Sequence, residues 1–227
     1  MEEKQIENLE NDNTVKTEEI KEENMKRKGM TLPNKLTLMR ILLIPIMFII
    51  YYIPYLNEHF IFRHVTYSFF ICFWIFTIAS FTDFFDGKIA RKYNLVTTFG
   101  KFADPLADKM LVFSAMTILM TTQVKVFGIS DHRLVPVWVF SIMLIRELMV
   151  SGIRMLSAGK GEVIAAKMLG KIKTFVTMIA IGVLFFYGLH DVFLYIGIIL
   201  MYVSCFFTIL SGAEYFMKSR HLIFESI

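Results

Sequence analysis

The sequence predicts an all-α polytopic membrane protein with six transmembrane helices and a polar cavity that faces the cytoplasm. Three observations support this fold class. The 227 residues are 56% hydrophobic and only 19% charged, with a mean hydropathy of +0.56, whereas soluble domains are about half apolar and a quarter charged. Six apolar segments of 19 to 24 residues recur along the chain. Basic residues concentrate in alternate connections between those segments.

A charged tail precedes the six segments. Residues 1–29 hold nine acidic and six basic side chains and no aromatic one, which is typical of a solvated segment without a packed core. The expected membrane domain covers residues 30–220, and residues 221–227 form a short C-terminal tail. The apolar segments cover residues 36–56, 65–84, 105–123, 134–156, 168–189 and 192–215. Each is long enough for a helix to cross about 30 Å of hydrocarbon. The Asp104-Pro105 pair predicts a helix start.

The basic residues predict the orientation of these helices. They cluster within residues 26–35, 88–101, 160–173 and 218–220, while the other loops hold only Arg63, Lys125 and Arg133. Because positively charged loops are retained in the cytoplasm, we expect both termini there. The protein is therefore expected to be a multi-pass protein of the plasma membrane. Cys72 and Cys205 lie within apolar segments, which predicts thiols that face lipid or core and form no disulfide.

Four aspartates lie in the segment TDFFDGKIARKYNLVTTFGKFADPLADKM, residues 82–110. Asp83 and Asp86 are three residues apart, and Asp104 and Asp108 are four apart, so each pair shares a helix face. A short connection brings both pairs to the cytoplasmic ends of neighbouring helices. Four carboxylates beside hydrocarbon are costly unless they are neutralised. Carboxylates without Cys or His favour hard ions such as Mg²⁺, Mn²⁺ or Ca²⁺.

Small and basic residues are interleaved with these aspartates. Gly87, Ala90 and Gly100 leave room for a bulky group to approach the backbone. Arg91 supplies a planar fork of donors that suits phosphate oxygens. The segment therefore predicts a metal site that also accepts a phosphate-bearing ligand.

The pattern Asp83-x2-Asp86-Gly87-x2-Ala90-Arg91-x8-Gly100-x3-Asp104-x3-Asp108 resembles the signature of the CDP-alcohol phosphatidyltransferases, a family with six transmembrane helices. Residues 33–40 also resemble the start of the first helix in that family. The resemblance implies that the four aspartates hold two Mg²⁺ or Mn²⁺ ions in the active-site cavity and that Asp108 is the catalytic base. It further implies a homodimer and a CDP-binding site formed by Asn34, Thr37, Gly87, Ala90, Arg91 and Gly100.

A second group of charges lies between residues 145 and 174. Arg146 and Arg154 are eight residues apart and nearly on one helix face, Glu147 is a candidate partner for one cation, and Lys171 and Lys173 begin the fifth segment. Charged residues within membrane segments usually serve function. These cations imply a second phosphate-bearing ligand. The pattern resembles the family branch whose acceptor is sn-glycerol 3-phosphate, which implies an acceptor-phosphate site of Arg146, Ser151, Arg154, Lys171 and Lys173.

The resemblance implies transfer of a phosphatidyl group from CDP-diacylglycerol to sn-glycerol 3-phosphate, with release of CMP. No Ser, Cys or His is placed as a covalent nucleophile, which favours one-step transfer. Other acceptors, inositol phosphate or serine, remain open. A divalent-cation or phosphate transporter is a different-class alternative, although its carboxylates would lie near the bilayer midplane with internal repeats. The expected partners are both substrates, membrane lipid and a second copy of the chain, without nucleic acid.

Overall fold

The computed structural model describes residues 32–62, 64–92, 98–126, 129–159 and 168–224. Within these ranges only the backbone is described for residues 32–33, 83–92, 98–99, 101–102, 125–126, 129–131, 158–159 and 221–224. The tail of residues 1–29 lies outside the described residues, so the prediction for it is not tested.

Helices dominate the described residues, and short antiparallel hairpins lie in two of the connections. The elements in chain order are α1 (Leu32–Tyr52), α2 (Pro54–Glu58), β1 (Phe60–Phe62), β2 (Val65–Thr66), α3 (Tyr67–Lys92), α4 (Thr98–Thr121), β3 (Gln123–Val126), β4 (Ile129–Arg133), α5 (Val137–Gly159), α6 (Met168–Phe185) and α7 (Asp191–Phe224). Strand β1 pairs with β2, and β3 pairs with β4.

Six of these helices have 18 residues or more, and each corresponds to one of the apolar segments. The two hairpins are additions to the predicted all-α fold, and both lie in connections where polar residues break the apolar pattern. Helix α7 continues to Phe224, into the stretch that was expected to be a C-terminal tail.

Pro105 does not begin a helix, so that prediction was wrong. Helix α4 begins at Thr98 and contains Pro105 in its interior. Proline has no N–H, so the carbonyl of the residue four positions earlier loses its usual helical donor. The additional turns before Pro105 place Gly100, Asp104 and Asp108 on one continuous helix.

Proline does mark a boundary at the end of α1. The first apolar segment was predicted to reach residue 56, but α1 ends at Tyr52. Ile53 is extended, with φ −72° and ψ 114°, and Pro54 begins the short helix α2. The ring of a proline disfavours helical geometry in the residue before it, and this explains the early end.

The helices pack around one main apolar core. Helices α6 and α7 form an extensively packed antiparallel pair, α1 packs on α3 and α4, and α5 packs on α7. Met47, Cys72, Ala115, Met116 and Leu184 are completely buried in this core. The residues on the opposite faces of the same helices are large and exposed, as in Trp74, Phe175 and Phe206. Cys72 and Cys205 are buried free thiols, as expected.

Within the described ranges, three helices are long and apolar enough to cross a membrane: Asn34–Tyr52, Met168–Phe185 and Asp191–Arg220. Helix α3 has a shorter apolar part, Tyr67–Thr82. Helices α4 and α5 carry the charged residues of the two sequence clusters within their length, and this lowers the hydropathy of any window along them. The described residues are therefore consistent with an all-α membrane protein.

The turn between α6 and α7 closes one end of the bundle. The backbone N–H of His64 donates to the carbonyl of Gly188 at 3.2 Å. A β-carbon at Gly188 would lie 2.4 Å from the carbonyl carbon of His64, so any other residue there would displace backbone. Gly188 thereby allows the connection before α3 and the turn before α7 to touch directly.

Candidate active site

Polar side chains from five helices meet at the other end of the bundle. Helix α1 contributes through its first turns, and α4 and α6 contribute through their N-terminal halves. Helix α5 contributes through its middle and its C-terminal half, and α7 through its C-terminal half. Successive long helices run in opposite directions, so residues distant in sequence converge here. This end of the bundle is the candidate active site.

The hydroxyl of Thr37 on α1 donates a hydrogen bond to Oδ1 of Asp104 on α4. Thr37 is buried, at 1% exposure, so the bond is largely shielded from water. Asp108 lies one helical turn beyond Asp104 and is half-buried. The contact fixes the orientation of one carboxylate in the aspartate pair.

The Glu147 carboxylate contacts three basic side chains, one each from α4, α5 and α6. Its Oε1 accepts a hydrogen bond from Nη1 of Arg146 at 2.8 Å and another from Nζ of Lys173. Its Oε2 lies 3.7 Å from Nζ of Lys109. The Glu147 side chain is only 15% exposed, and those of Arg146 and Lys173 are 12% and 8% exposed. Glu147 is thus the shared counter-ion of a nearly buried cluster, where the sequence predicted a single pairing.

One side of Glu147 faces a small cavity that we call the Asp108 cavity. Its volume is about 80 Å³, and Asp108, Lys109, Phe113, Glu147 and Lys173 are among its lining residues. Lys109 also donates a hydrogen bond to Ser151. The predicted base therefore shares a cavity with two lysines and the carboxylate that they contact.

A second cavity, which we call the arginine pocket, has a volume of about 170 Å³. Its lining residues are Arg146, Arg154, Gly170, Lys171, Ser211, Glu214 and Tyr215. Ser211 and Tyr215 accept hydrogen bonds from the two arginines: Nη2 of Arg146 donates to Ser211 Oγ at 2.9 Å, and Nε of Arg154 donates to the Tyr215 hydroxyl at 3.2 Å. The Arg154 guanidinium also lies over the Tyr215 ring, 5.5 Å from its centre, at cation–π distance.

The arginine pocket depends on a glycine of α7. A β-carbon at Gly212 would lie 2.9 Å from Cγ of Arg146, closer than such atoms normally approach. Gly212 therefore leaves the space in which the Arg146 side chain crosses from α5 to Ser211.

The structure brings together three of the five residues predicted for the acceptor phosphate. Arg146, Arg154 and Lys171 line the arginine pocket. Lys173 lines the Asp108 cavity instead, and Ser151 accepts a hydrogen bond from Lys109. Lys171 and Lys173 are two residues apart on α6, so they point to different faces of the helix.

The predicted nucleotide site is described only in part. Thr37, Gly100 and Asn34 are described, and Thr37 and Gly100 are buried. Asp83, Asp86, Gly87, Ala90 and Arg91 lie on the helical backbone of α3, but their side chains are outside the described residues. Their predicted roles therefore remain predictions.

Sequence reasoning missed Lys109, Ser211, Gly212 and Tyr215 as parts of the site. Lys109 carried a signal, because it is a charge within an apolar segment and directly follows Asp108. Tyr215 and Ser211 carried none as individual residues, since hydroxyl side chains are common in membrane helices and only the fold places them against the arginines.

The described donor groups fit a hard divalent ion. Asp104 and Asp108 offer carboxylate oxygens on one face of α4, and the Thr37 hydroxyl orients Asp104 as outer partners orient metal ligands. Among the described side chains no three His, Cys, Asp or Glu form a metal-binding group. The side chains of Asp83 and Asp86, the other two predicted ligands, lie outside the described residues.

Comparisons with known proteins agree with the geometry. The family model described as CDP-alcohol phosphatidyltransferase matches residues 30–210. A Bacillus subtilis protein named CDP-diacylglycerol–glycerol-3-phosphate 3-phosphatidyltransferase is 43% identical over 197 residues, covering 83% of this chain and 94% of the relative. Proteins of the same name from Rickettsia prowazekii and Wigglesworthia glossinidia brevipalpis are 37% and 35% identical, covering 86% and 87% of this chain and 98% and 99% of theirs.

Proposed function

This chain belongs to the CDP-alcohol phosphatidyltransferase family, and from that premise we propose what it catalyses. The protein transfers the phosphatidyl group from CDP-diacylglycerol to sn-glycerol 3-phosphate, giving phosphatidylglycerol phosphate and CMP in phospholipid biosynthesis. Relatives with this name match at 35–43% identity over more than four fifths of the chain.

One structural observation supports an acceptor that carries a phosphate over serine. Arg146, Arg154 and Lys171 line one pocket, Asp108 and Glu147 line another, and the hydrogen bond from Arg146 to Glu147 connects the two linings. Three cations on one pocket suit a phosphate monoester, because charge-assisted hydrogen bonds to phosphate are strong and directional. Serine carries no phosphate and would make no use of these cations.

We assign the residues of the site to two roles, binding of the acceptor phosphate and proton transfer. We assign the acceptor phosphate to Arg146, Arg154 and Lys171, which leaves the glycerol hydroxyls directed towards Asp108. Asp108 accepts the proton of the attacking 1-hydroxyl, and the oxygen then attacks the phosphorus that bears the lipid. Holding acceptor and base in this geometry lowers the barrier, because the translational and rotational freedom is lost on binding.

The family is generally dependent on divalent cations. We propose that Asp83, Asp86, Asp104 and Asp108 hold two Mg²⁺ or Mn²⁺ ions. Such ions would stabilise the negative charge that develops on the leaving CMP as the pyrophosphate linkage of CDP-diacylglycerol breaks. Thr37 holds Asp104 in place, and Asn34, Gly87, Ala90, Arg91 and Gly100 are assigned to the CDP group.

We further propose that all six long helices cross the membrane. The active site then lies at the cytoplasmic surface, where CDP and glycerol 3-phosphate arrive from water while the acyl chains remain in lipid. The positive connections predict this orientation. The protein is proposed to act as a homodimer in the plasma membrane.

The test is an assay of the purified full-length protein with CDP-diacylglycerol, Mg²⁺ and one acceptor at a time. We expect CMP release with glycerol 3-phosphate and at most a trace with serine or inositol phosphate. Chelation with EDTA should stop the reaction, and added Mg²⁺ or Mn²⁺ should restore it. Equal CMP release with serine, or release that does not depend on an acceptor, would contradict the assignment.

A further inference from the structure

We propose that Glu147 is a specificity-determining residue that prevents phosphate from binding to Lys173 in the Asp108 cavity. By binding the ammonium group of Lys173, the Glu147 carboxylate restricts the acceptor phosphate to the arginine pocket. This inference rests on the proposed function, because it assumes an acceptor with a phosphate monoester and a separate reacting hydroxyl.

The first argument is where the lysines lie. Lys173 is 7% exposed and donates to Oε1 of Glu147, while Lys171 is exposed and lines the arginine pocket. A buried ammonium needs a partner because removing a charge from water is costly. Glu147 supplies that partner within the protein, so Lys173 does not need a ligand to satisfy its charge.

The second argument is the charge that would remain without Glu147. Arg146, Lys173 and Lys109 all contact this one carboxylate. Without its negative charge, three cations would surround the space that it occupies. A cluster of that kind is an attractive site for any phosphate, including inorganic phosphate.

The third argument is geometric and concerns the reaction. Lys173 and Asp108 line the same cavity. A phosphate bound to Lys173 would put an anion beside the base, where the acceptor hydroxyl has to be. Phosphate bound in the arginine pocket leaves that position to the hydroxyl. Glu147 therefore favours the productive orientation of the acceptor over the reversed one.

The experiment uses the full-length enzyme and inorganic phosphate as the probe. In Glu147→Gln we expect kcat to fall and inorganic phosphate to bind about tenfold more tightly, the effect expected from one additional charge-assisted hydrogen bond. Phosphate binding is measured by titration calorimetry and by inhibition of turnover. In the double variant Glu147→Gln/Lys173→Gln the tighter phosphate binding should disappear, since the added site has been removed.

Two controls separate this role from a general effect of charge or folding. Glu58→Gln removes the same charge from the exposed end of the bundle that lies away from the site and should leave phosphate binding unchanged. Glu147→Asp keeps the carboxylate and should retain weak phosphate binding. A structural role alone would lower stability in every Glu147 variant without tightening phosphate binding.

Unchanged phosphate affinity in Glu147→Gln, or tighter binding that persists in the double variant, would overturn the proposal. If Glu147→Gln does not fold, Lys173→Gln decides. We then expect its KM for glycerol 3-phosphate to stay within about twofold of wild type, whereas Lys171→Gln raises it. An equal rise in both would show that Lys173 binds the acceptor phosphate directly. Failure of wild-type turnover would reject the proposed function, while the calorimetric result would still test Glu147.

Discussion

Replacing Gly212 by alanine tests whether the position of Arg146 sets acceptor binding. The new β-carbon would lie 2.9 Å from Cγ of Arg146, and ordinary carbon contacts are about 3.5 to 4.0 Å. The Arg146 side chain therefore has to move by about 0.6 to 1.1 Å. It cannot do so freely, because Nη1 is held by Glu147 at 2.8 Å and Nη2 by Ser211 at 2.9 Å.

The size of the effect follows from those two bonds. A shift of that size stretches at least one of them beyond hydrogen-bond distance, and a hydrogen bond to a charged group contributes about 1.5 to 3 kcal/mol. A displaced guanidinium loses a comparable interaction with the acceptor phosphate. We therefore expect kcat/KM for glycerol 3-phosphate to fall roughly tenfold to a hundredfold. The KM for CDP-diacylglycerol should change by less than about twofold.

The assay is steady-state CMP release with each substrate varied in turn, together with thermal unfolding of the purified protein. Alanine is a better helix former than glycine by about 1 kcal/mol, so lower stability is not the expected cause of the loss. Gly152 on α5 is the matched control, because a β-carbon there meets no heavy atom within 4 Å. Wild-type acceptor kinetics in Gly212→Ala, or an equal loss in Gly152→Ala, would refute the reasoning.

Three further substitutions test other parts of the site. Asp108→Asn should abolish turnover while CDP-diacylglycerol still binds in a filtration assay, and normal turnover would remove Asp108 as the base. Thr37→Val removes the donor to Asp104 and should raise the Mg²⁺ concentration for half-maximal activity by about tenfold. The control is Thr117→Val, because the Thr117 hydroxyl donates to a carbonyl of its own helix at 2.8 Å. Tyr215→Phe removes the hydroxyl to which Arg154 donates but keeps the ring. The KM for glycerol 3-phosphate should therefore rise by about threefold to tenfold, less than in Arg154→Ala.

Much of the fold could be predicted because hydrophobicity and length suffice to locate long apolar helices. The six segments correspond to α1 and α3 to α7. Their ends were harder to predict, because a polar stretch can continue a helix. Residues 85–92 are an example: they are charged and glycine-containing, yet α3 runs through them to Lys92. Pro105 was misjudged for a related reason, since a proline is tolerated inside a membrane helix when its neighbours compensate for the missing donor.

The sequence could predict which residue types belong to the candidate site, but it could not predict how they divide between the Asp108 cavity and the arginine pocket. Spacing placed Arg146 and Arg154 on one face of α5, and both line the arginine pocket. Whether Lys173 belongs with them depends on how α6 is rotated against α5, which the sequence does not reveal. Glu147 contacts three cations for the same reason, because Lys109 and Lys173 reach it from other helices.

The contact between Gly188 and His64 has a consequence for how the protein is made. Synthesis proceeds from the N-terminus, so the whole aspartate cluster leaves the ribosome about eighty residues before Gly188 does. Until that glycine arrives, the connection before α3 lacks the backbone carbonyl to which His64 donates. Closure of this end of the bundle therefore belongs to the last steps of assembly. A nascent chain interrupted before the α6–α7 turn would contain the predicted metal ligands in an incompletely closed bundle.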